Sequence, residues 1–349
     1  MVRSTSAAED RKYMLRALHL ARQAWGMTSP NPMVGALIVK DGRIVGEGFH
    51  LRAGTAHAEV NALQAAQSAA EGATMYVTLE PCSTYGRTPP CTEAIKKAGI
   101  KRLVAACTDF NARHAGRGFE ILRQAGIEVK TGVCQAAAIE LNKAFFSYIT
   151  RQRPYVILKM ATTLDGKIAT VSGDSKWITG SAARKRVQEL RRWCDAIMVG
   201  GETVRIDRPS LTVREPSDWP CQPRKLVFSS MKQTELQKYF PDDPGACSVC
   251  PRTPEEWQNL LTGLAAQGVN GLLLEGGGEL AGAALQAGIV DEVEFHIAPK
   301  LLTGRNSRSA VGGSDPLKLT EAYNLDKLRI KRAGSDLIVS GKIISGKQN

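Results

Sequence analysis

The sequence predicts an α/β protein of two domains, and three observations support this fold class. The chain has 349 residues, which at roughly 150 residues per domain corresponds to two domains. Segments with strand and helix periodicity alternate along both halves, as in α/β proteins. A polar, basic stretch at 149–154, closed by Pro154, is the candidate linker. We therefore expect domains at 1–150 and 151–349.

The first half contains the clearer element pattern. Apolar residues recur at helical spacing behind Ser6, a suitable N-cap residue, and Asp41-Gly42 between two apolar runs predicts a β-hairpin. The predicted helices cover 7–25, 58–69, 92–98, 118–124 and 136–148, and the predicted strands cover 34–39, 44–49, 74–79, 102–106 and 127–130.

The second half starts a new α/β set after the linker. Its helix is predicted at 181–194 and its strands at 155–160, 196–200, 225–228 and 271–274. The last strand runs into Glu275-Gly276-Gly277-Gly278 and then a helix, whereas residues 242–256 show no clear pattern.

Composition and charge exclude several classes of protein. Hydrophobic residues make up 43% and charged residues 23%, an ordinary globular balance. The net charge of +12 is spread evenly, with 18 Lys and Arg against 12 Asp and Glu before residue 151 and 28 against 22 after it. No apolar run approaches the roughly 18 residues of a membrane span, and no secretory signal is evident. Eight cysteines without a dense framework indicate a reducing cytoplasm and suggest metal ligation.

A zinc constellation is the strongest functional signal. His57 and Glu59 open a predicted helix, Cys82 ends the next strand, and Cys91 opens the following helix. One imidazole and two thiolates leave one of four zinc positions open, which is typical of catalytic zinc. Such a zinc makes hydroxide available near neutral pH, and Glu59 has the position of the proton shuttle in zinc deaminases. The alternatives are a structural zinc site, or a buried histidine with two unrelated cysteines.

Other cysteines and histidines carry weaker signals. His50 ends the strand before the metal segment, and its direction stays open on sequence grounds. Cys247 and Cys250 resemble half of a zinc knuckle but lack a second pair, so we expect no functional role for them.

The glycine run at 276–278 is the main signal in the second half. Glycines admit a phosphate close to the backbone, and the following helix N-terminus offers free N–H groups. A tight structural turn is the alternative. Two polar segments, 173–180 and 200–214, are expected on loops at strand ends, where α/β sheets bind ligands.

Together these motifs resemble the bifunctional deaminase/reductase family of riboflavin biosynthesis along nearly the whole chain. On the deaminase side the matching segments are 29–35, 48–50, 57–59, 78–83 and 86–91. The last of these, with eight residues between Cys82 and Cys91, is specific to that family. On the reductase side they are 164–167, 175–180, 195–197, 203–204, 211–214 and 275–277.

The resemblance implies a fold, two reactions and two cofactors. The first domain would be a cytidine-deaminase-like three-layer α/β/α domain and the second a dihydrofolate-reductase-like α/β domain. A diamino-ribosylamino-pyrimidinone 5′-phosphate would lose an amino group by zinc-dependent hydrolysis, and NADPH would then reduce the ribosyl group to ribityl. The implied partners are phosphorylated pyrimidines and a second copy of the chain in a homo-oligomer, with no nucleic acid and no membrane.

The family's site residues carry over position by position. Zinc would be held by His57, Cys82 and Cys91, with Glu59 as the catalytic proton shuttle. Substrate contacts are implied at Asn31, His50, Arg87, Ser175, Arg191, Leu211, Arg214 and Glu275. Cofactor contacts are implied at Ala161, Trp177, Thr203, Asp207, Ser230, Gly277, Gly278, Glu279 and Leu280. We further expect Arg191 and Arg214 to clamp the ribose phosphate in bidentate fashion.

The chain departs from the family pattern at Thr84, where relatives usually have His, and at Arg208, where they usually have Asp. A nucleic-acid-editing deaminase is the alternative from a different class. The evenly spread charge and the 6% aromatic content argue against it, since base-stacking surfaces need aromatic side chains.

Overall fold

A computed structural model of the chain describes residues 6–85, 89–111 and 115–344. The chain forms two compact units, Met1–Gln152 and Arg153–Asn349, which are considered separately. In the described part of the chain, no helix is both long and apolar enough to cross a membrane.

Unit 1 follows the predicted alternation of strands and helices. Its helices are α1 (Ala7–Arg22), α2 (Ala58–Ala66), α3 (Cys91–Lys97), α4 (Arg117–Gln124), α5 (Gln135–Leu141) and α6 (Lys143–Arg151). Its strands are β1 (Gly35–Lys40), β2 (Arg43–Phe49), β3 (Thr74–Val77), β4 (Arg102–Ala105) and β5 (Glu128–Lys130).

These strands form one mixed sheet with helices on both faces. The strand order is β2-β1-β3-β4-β5, with β1 antiparallel to β2 and β3, and β3, β4 and β5 parallel. Gly35 of β1 lies against Ala17 of α1. The next residue, Ala36, faces the opposite side of the sheet, and its strand partner Gly48 lies against Ala62 of α2. Helices α1 and α2 therefore cover opposite faces, which gives the three-layer arrangement.

Close packing fixes the helix that carries the first half's chemistry. A Cβ atom on Gly46 would lie 2.3 Å from the Ala62 carbonyl oxygen, and one on Gly48 would lie 2.5 Å from the Ala62 nitrogen. Both distances are below van der Waals contact, so only glycine lets α2 approach β2 this closely. This contact holds the N-terminus of α2, with His57 and Glu59, beside the end of β2.

Two predictions at the end of unit 1 were wrong. The single helix expected at 136–148 is two helices that meet at Asn142, whose side chain bonds the backbone of Met33. The linker expected from residue 149 is also shorter, because α6 continues to Arg151. The aromatic side chains of Phe145 and Phe146 keep this last helix packed on the core.

Unit 2 contains the remaining elements. Its helices are α7 (Ser181–Trp193), α8 (Gly201–Asp207), α9 (Gln233–Leu236), α10 (Pro254–Ala266) and α11 (Gly278–Gln286). Its strands are β6 (Tyr155–Thr163), β7 (Lys167–Ala169), β8 (Ala196–Gly200), β9 (Arg224–Phe228), β10 (Cys247–Val249), β11 (Gly271–Glu275), β12 (Glu292–Ala298), β13 (Arg308–Ser309), β14 (Leu325–Ala333) and β15 (Asp336–Ile343).

The large sheet of unit 2 brings the predicted ligand loops together. Its strand order is β10-β9-β8-β11-β6-β12-β15-β14, parallel from β10 to β12 and antiparallel at β15 and β14. The carboxyl ends of β8, β11 and β6 therefore lie side by side, and ligands bind at such ends in α/β sheets. The segments 200–214 and 275–278 both start there.

Candidate active sites

The three predicted zinc ligands meet in unit 1. One nitrogen of His57 and the sulfur atoms of Cys82 and Cys91 all lie within 4.8 Å of one another. His57 Nδ1 is 3.3 Å from Cys91 Sγ and 3.5 Å from Cys82 Sγ. The backbone N–H of Cys91 also donates to Cys82 Sγ, so the N-terminus of α3 stabilises a thiolate at this position.

The electrostatics of this cluster favour proton transfer. Burial raises the pKa of Glu59 to about 7, and the neighbouring Cys82 acts in the same direction. A hydrogen bond from the Cys91 thiol lowers the pKa of Cys82, and His57 adds to this effect. Glu59 is almost fully buried and contacts Cys91, so its carboxyl group faces the ligand cluster.

The donor set fits zinc. One imidazole nitrogen and two thiol sulfurs in one small volume are ligands that zinc prefers, and a set of three protein ligands is typical of catalytic zinc. Among the described residues, this is the sole group of three or more His, Cys, Asp and Glu side chains placed to hold a metal ion.

Asn31 and His50 lie next to this cluster. Asn31 Nδ2 is 3.1 Å from His50 Nε2, and His50 Nδ1 is 3.1 Å from the carbonyl oxygen of Ala56. The carbonyl can only accept, so His50 carries its proton on Nδ1 and accepts from Asn31 at Nε2. Burial lowers the pKa of His50, and its ring packs edge-on against His57 at 5.3 Å. The His50 ring therefore lies directly beside the ligand His57. Arg87, the third predicted contact, lies outside the described residues.

Glu80 is a residue that the sequence reasoning missed. Its carboxylate accepts the backbone N–H groups of Asp109, Gly116 and Gly118 at 3.1, 2.9 and 2.9 Å. It therefore fastens the segment leading into α4 beside Pro81 and the ligand Cys82. The three partners lie 29, 36 and 38 residues away in sequence, so no local pattern points to them.

In unit 2 the glycine turn forms an open cradle. Gly276 and Gly277 have φ angles of 82° and 91°, which favour glycine. A Cβ atom on Gly277 would lie 3.4 Å from Thr203 Oγ1 and 3.6 Å from Gly200 Cα. The start of α8 and the start of α11 thus meet here, with backbone N–H groups at both. Because no side chains cover the backbone at 276–278, the N–H groups at the two helix starts can approach a phosphate, which fits NADPH.

Arg191 does not act as the expected phosphate clamp. Its Nε and Nη2 donate to the two carboxylate oxygens of Glu275 at 3.0 and 2.8 Å, and its Nη1 donates to the carbonyl oxygen of Thr212. The bidentate face of the guanidinium is therefore occupied within the protein. The guanidinium of Arg214 is exposed and has no partner among the described residues, so it remains the candidate for the phosphate.

The ion pair controls the charge at the end of β11. Burial raises the pKa of Glu275, but the charge and hydrogen bonds of Arg191 more than offset this and leave the pKa below its usual value. Glu275 is thus held as a carboxylate at the carboxyl end of its strand.

Ser175 and Trp177 lie on a loop that is hydrogen-bonded to Asp207, the last residue of α8. Ser175 Oγ donates to Asp207 Oδ1 at 3.0 Å, and Lys176 Nζ donates to the Asp207 carbonyl oxygen. The Trp177 ring is 65% exposed and lies 4.7 Å from the guanidinium carbon of Arg184. An exposed ring held in this way offers a stacking surface to a planar ligand.

The remaining residues predicted to contact a ligand in unit 2 differ in how exposed their side chains are. Leu211 and Leu280 are buried in unit 2, so their side chains cannot reach a ligand and only their backbones remain available. Ser230 and Glu279 are exposed. Ala161 on β6 pairs with His296 on β12.

A buried charged cluster beside Ala161 was missed. Lys159 and Glu294 are register partners on β6 and β12, both nearly fully buried, and His296 Nε2 lies 2.9 Å from Glu294 Oε1. Glu294 also accepts two hydrogen bonds from Arg186 of α7. The one sign of this cluster in the sequence is Lys159, a charged residue within the otherwise apolar predicted strand 155–160.

Cys247 and Cys250 are both free thiols on an extended segment. Cys247 is the first residue of β10 and Cys250 directly follows its last residue, and among the described residues neither belongs to a group of three or more possible metal ligands.

Comparisons with known proteins agree with this geometry. Residues 7–107 match the cytidine and deoxycytidylate deaminase zinc-binding region, and residues 154–339 match the RibD C-terminal domain. A riboflavin biosynthesis protein RibD from Escherichia coli strain K12 is 42% identical, with 94% of this chain and 98% of the relative covered.

Two solved structures extend the similarity to the whole fold. Acinetobacter baumannii RibD has a TM-score of 0.89 at 38% identity and covers 97% of this chain and 100% of its own. A Thermotoga maritima diaminohydroxyphosphoribosylaminopyrimidine deaminase/5-amino-6-(5-phosphoribosylamino)uracil reductase has a TM-score of 0.84 at 32% identity, covering 97% and 99%.

The fold and the site define a zinc-dependent deaminase domain joined to a reductase domain in one chain. The predicted fold class is confirmed. The chain belongs to the riboflavin biosynthesis protein RibD family.

Proposed function

We propose that this chain catalyses two successive steps of riboflavin biosynthesis, with one step in each unit. The first is hydrolytic deamination of 2,5-diamino-6-ribosylamino-4(3H)-pyrimidinone 5′-phosphate. The second is NADPH-dependent reduction of the ribosyl group of 5-amino-6-(5-phosphoribosylamino)uracil. The observation that carries the proposal is the His57, Cys82 and Cys91 cluster with Glu59, in a chain similar over nearly its whole length to a Thermotoga maritima protein named for both activities.

For the deamination, His57, Cys82 and Cys91 hold zinc. When bound, zinc supplies the Lewis acid that makes water reactive near neutral pH. Glu59 accepts a proton from the attacking water and delivers it to the leaving amino group. Burial raises the pKa of this carboxyl group, which helps it to hold the proton between the two transfers.

Asn31 and His50 bind the substrate beside the ligand cluster. Asn31 offers an amide at the pocket edge, and the neutral His50 holds it in place through Nε2. Arg87, on the segment between the two cysteines, would supply the positive charge for the 5′-phosphate.

For the reduction, the glycine cradle at 276–278 and the α8 start bind the cofactor phosphates, with Trp177, Thr203, Asp207 and Ser230 around them. NADPH, when bound, supplies the hydride. Ser175, the exposed Arg214 and the Leu211 backbone hold the sugar phosphate, while Arg191 keeps Glu275 ionised and oriented toward the substrate.

Chelation separates the two activities. Zinc removal by a strong chelator should abolish ammonia release from the diamino substrate, because the cluster no longer activates water. NADPH oxidation with the deaminated substrate should stay within twofold of the untreated rate, since unit 2 holds no ligand of that cluster. Ammonia release and NADPH absorbance measure the two steps, and readdition of zinc is the control. Chelator-resistant ammonia release would contradict the proposed deaminase site.

A nucleic-acid-editing function has no supporting observation among the described residues. We propose that nucleic acid is not a substrate. Ammonia release from tRNA or single-stranded DNA, with strongly salt-dependent binding, would show otherwise.

We also propose that the chain is a homo-oligomer through the outer strands of unit 2. An exposed apolar surface, defined by Leu317, Leu319, Leu328 and Ile330, lies on and before β14, with side-chain exposures of 92, 91, 56 and 62%. An edge strand with exposed apolar residues is a pairing surface, and a second copy offers the same surface across a two-fold axis. The family resemblance favours that occupant.

Charge on this surface should weaken the oligomer. The double substitution Leu328→Lys and Ile330→Lys places like charges opposite each other across a two-fold axis, so the mass measured by light scattering should fall at low concentration. Exposed Leu15→Lys on α1 of unit 1 is the matched control. An unchanged mass for the double variant would place the interface elsewhere.

We further propose a cytoplasmic location. All eight cysteines are free thiols, as expected in a reducing compartment.

A further inference from the structure

Asn142 connects the end of unit 1 to the substrate edge of the deaminase pocket. It lies between α5 and α6 and is 2% exposed. Its Oδ1 accepts the backbone N–H of Met33 at 2.8 Å, and its Nδ2 donates to the Met33 carbonyl oxygen at 2.9 Å. The two residues are 109 positions apart in sequence.

These two hydrogen bonds take the place of the bonds that a neighbouring strand would make to the Met33 backbone. Met33 precedes β1, and both of its backbone groups point at the Asn142 amide instead of a neighbouring peptide. Buried backbone N–H and C=O groups need partners, and a side-chain amide supplies one acceptor and one donor in a single plane. Aspartate offers no donor and leucine offers neither group, so the pattern needs an amide.

The clamped backbone holds both substrate-side residues. Asn31 lies two residues before Met33, and its side chain meets His50 Nε2. Val34 follows Met33, and its carbonyl oxygen accepts the backbone N–H of His50 at 2.9 Å. Movement of Met33 would therefore displace Asn31 through the chain and His50 through Val34.

We infer that Asn142 is a positioning residue for substrate binding in the deaminase, acting through Met33 on the Asn31–His50 pair. It touches neither the ligand cluster nor Glu59, so it affects binding of the pyrimidine rather than the chemical step. The inference rests on the proposed deaminase activity.

The primary test uses two variants and the reductase of the same chain as an internal control. Asn142→Leu removes both bonds at similar volume, and Asn142→Asp keeps the acceptor for the Met33 N–H. For Asn142→Leu, which removes both hydrogen bonds to Met33, we expect the KM of deamination to rise by about tenfold, or about 1.4 kcal/mol, with zinc content and NADPH oxidation unchanged. Asn142→Asp should show a smaller rise in KM.

Met14→Ala is the matched control for stability. Met14 is fully buried in the same core cluster but lies on α1. It should lower the melting temperature without raising KM. If Asn142→Leu behaves like Met14→Ala, with a lower melting temperature and an unchanged KM, Asn142 is only structural and the inference is wrong. If the leucine variant does not fold, the aspartate variant decides by the same criterion.

A spectroscopic readout separates this inference from the proposed function. The chain has five histidines, so nitrogen-15 labelling of histidine gives few signals. In the unsubstituted protein His50 should appear as the Nδ1–H form, with Nε2 shifted by its bond from Asn31. In Asn142→Leu that Nε2 signal should move. An unmoved signal overturns the inference, even if the protein does not deaminate the proposed substrate.

Discussion

Substitution of Glu59 by Gln should lower the deamination rate by about 10²–10⁴-fold, the usual contribution of a general acid–base group. The introduced amide would fill the same buried space but could neither accept a proton from water nor deliver one to the amino group. The effect should appear in kcat, because Glu59 holds protons rather than the pyrimidine. Ammonia release under saturating substrate measures it directly.

Two controls make this result specific. Zinc content should stay at one per chain, because His57, Cys82 and Cys91 are unchanged, and NADPH oxidation by unit 2 should be unaffected. Glu47→Gln, a change of the same chemistry at a β2 residue that pairs with Arg16 on the surface, should leave both activities intact. Retention of deamination in Glu59→Gln would remove the proton shuttle from the mechanism.

Substitution of Arg191 by Met should have the largest effect on unit 2. Removing one partner of a buried ion pair leaves an uncompensated carboxylate and typically costs about 3–5 kcal/mol of unfolding free energy. The Arg191 and Glu275 side chains are only 8 and 14% exposed, so little solvent screening reduces this cost. NADPH oxidation should fall sharply, while ammonia release should remain. Tryptophan fluorescence during urea unfolding reports mainly on unit 2, which has four of the five tryptophans.

A double variant tests the origin of the loss. Combining Arg191→Met with Glu275→Gln removes both charges, so stability should recover, but reduction should stay impaired because the oriented carboxylate is gone. The destabilisation of Arg191→Met alone should also depend on pH. The folded-state pKa of Glu275 lies below 4.5, so the ion pair stabilises fully above pH 4.5 and loses its effect as pH falls below that value. An equal loss of stability at pH 3.5 and pH 7 would contradict this account.

Local patterns predicted most of the first unit. The Asp41-Gly42 turn has positive φ angles at both residues, as a two-residue hairpin requires, and it pairs Lys40 with Arg43 directly beside the turn. The zinc cluster was also predictable. Its three ligands lie at the ends of helices and strands, and they follow one another in the sequence in the order that zinc deaminases use. The structure brings all three together.

The features that could not be predicted from the sequence depend on contacts between residues far apart in the chain. The division of one expected helix at Asn142 depends on a backbone 109 residues away. The pairing of Arg191 with Glu275 spans 84 residues, so nothing in the sequence showed that the guanidinium expected to clamp a phosphate together with Arg214 is bound within the protein. The hydrogen bond from the Gly118 N–H of α4 to Glu80 spans 38 residues and was missed for the same reason. In each case tertiary packing, not local propensity, selects the partner.

A coupled assay of the purified, zinc-loaded chain measures both proposed activities in one reaction. The diamino-pyrimidinone ribosyl phosphate is supplied with NADPH and no other enzyme, and ammonia and NADPH are measured over time. The account predicts ammonia release followed by oxidation of one NADPH per ammonia, with Glu59→Gln blocking both and Arg191→Met blocking only the second. Ammonia without NADPH consumption would confine the function to unit 1, and no ammonia at all would contradict the account.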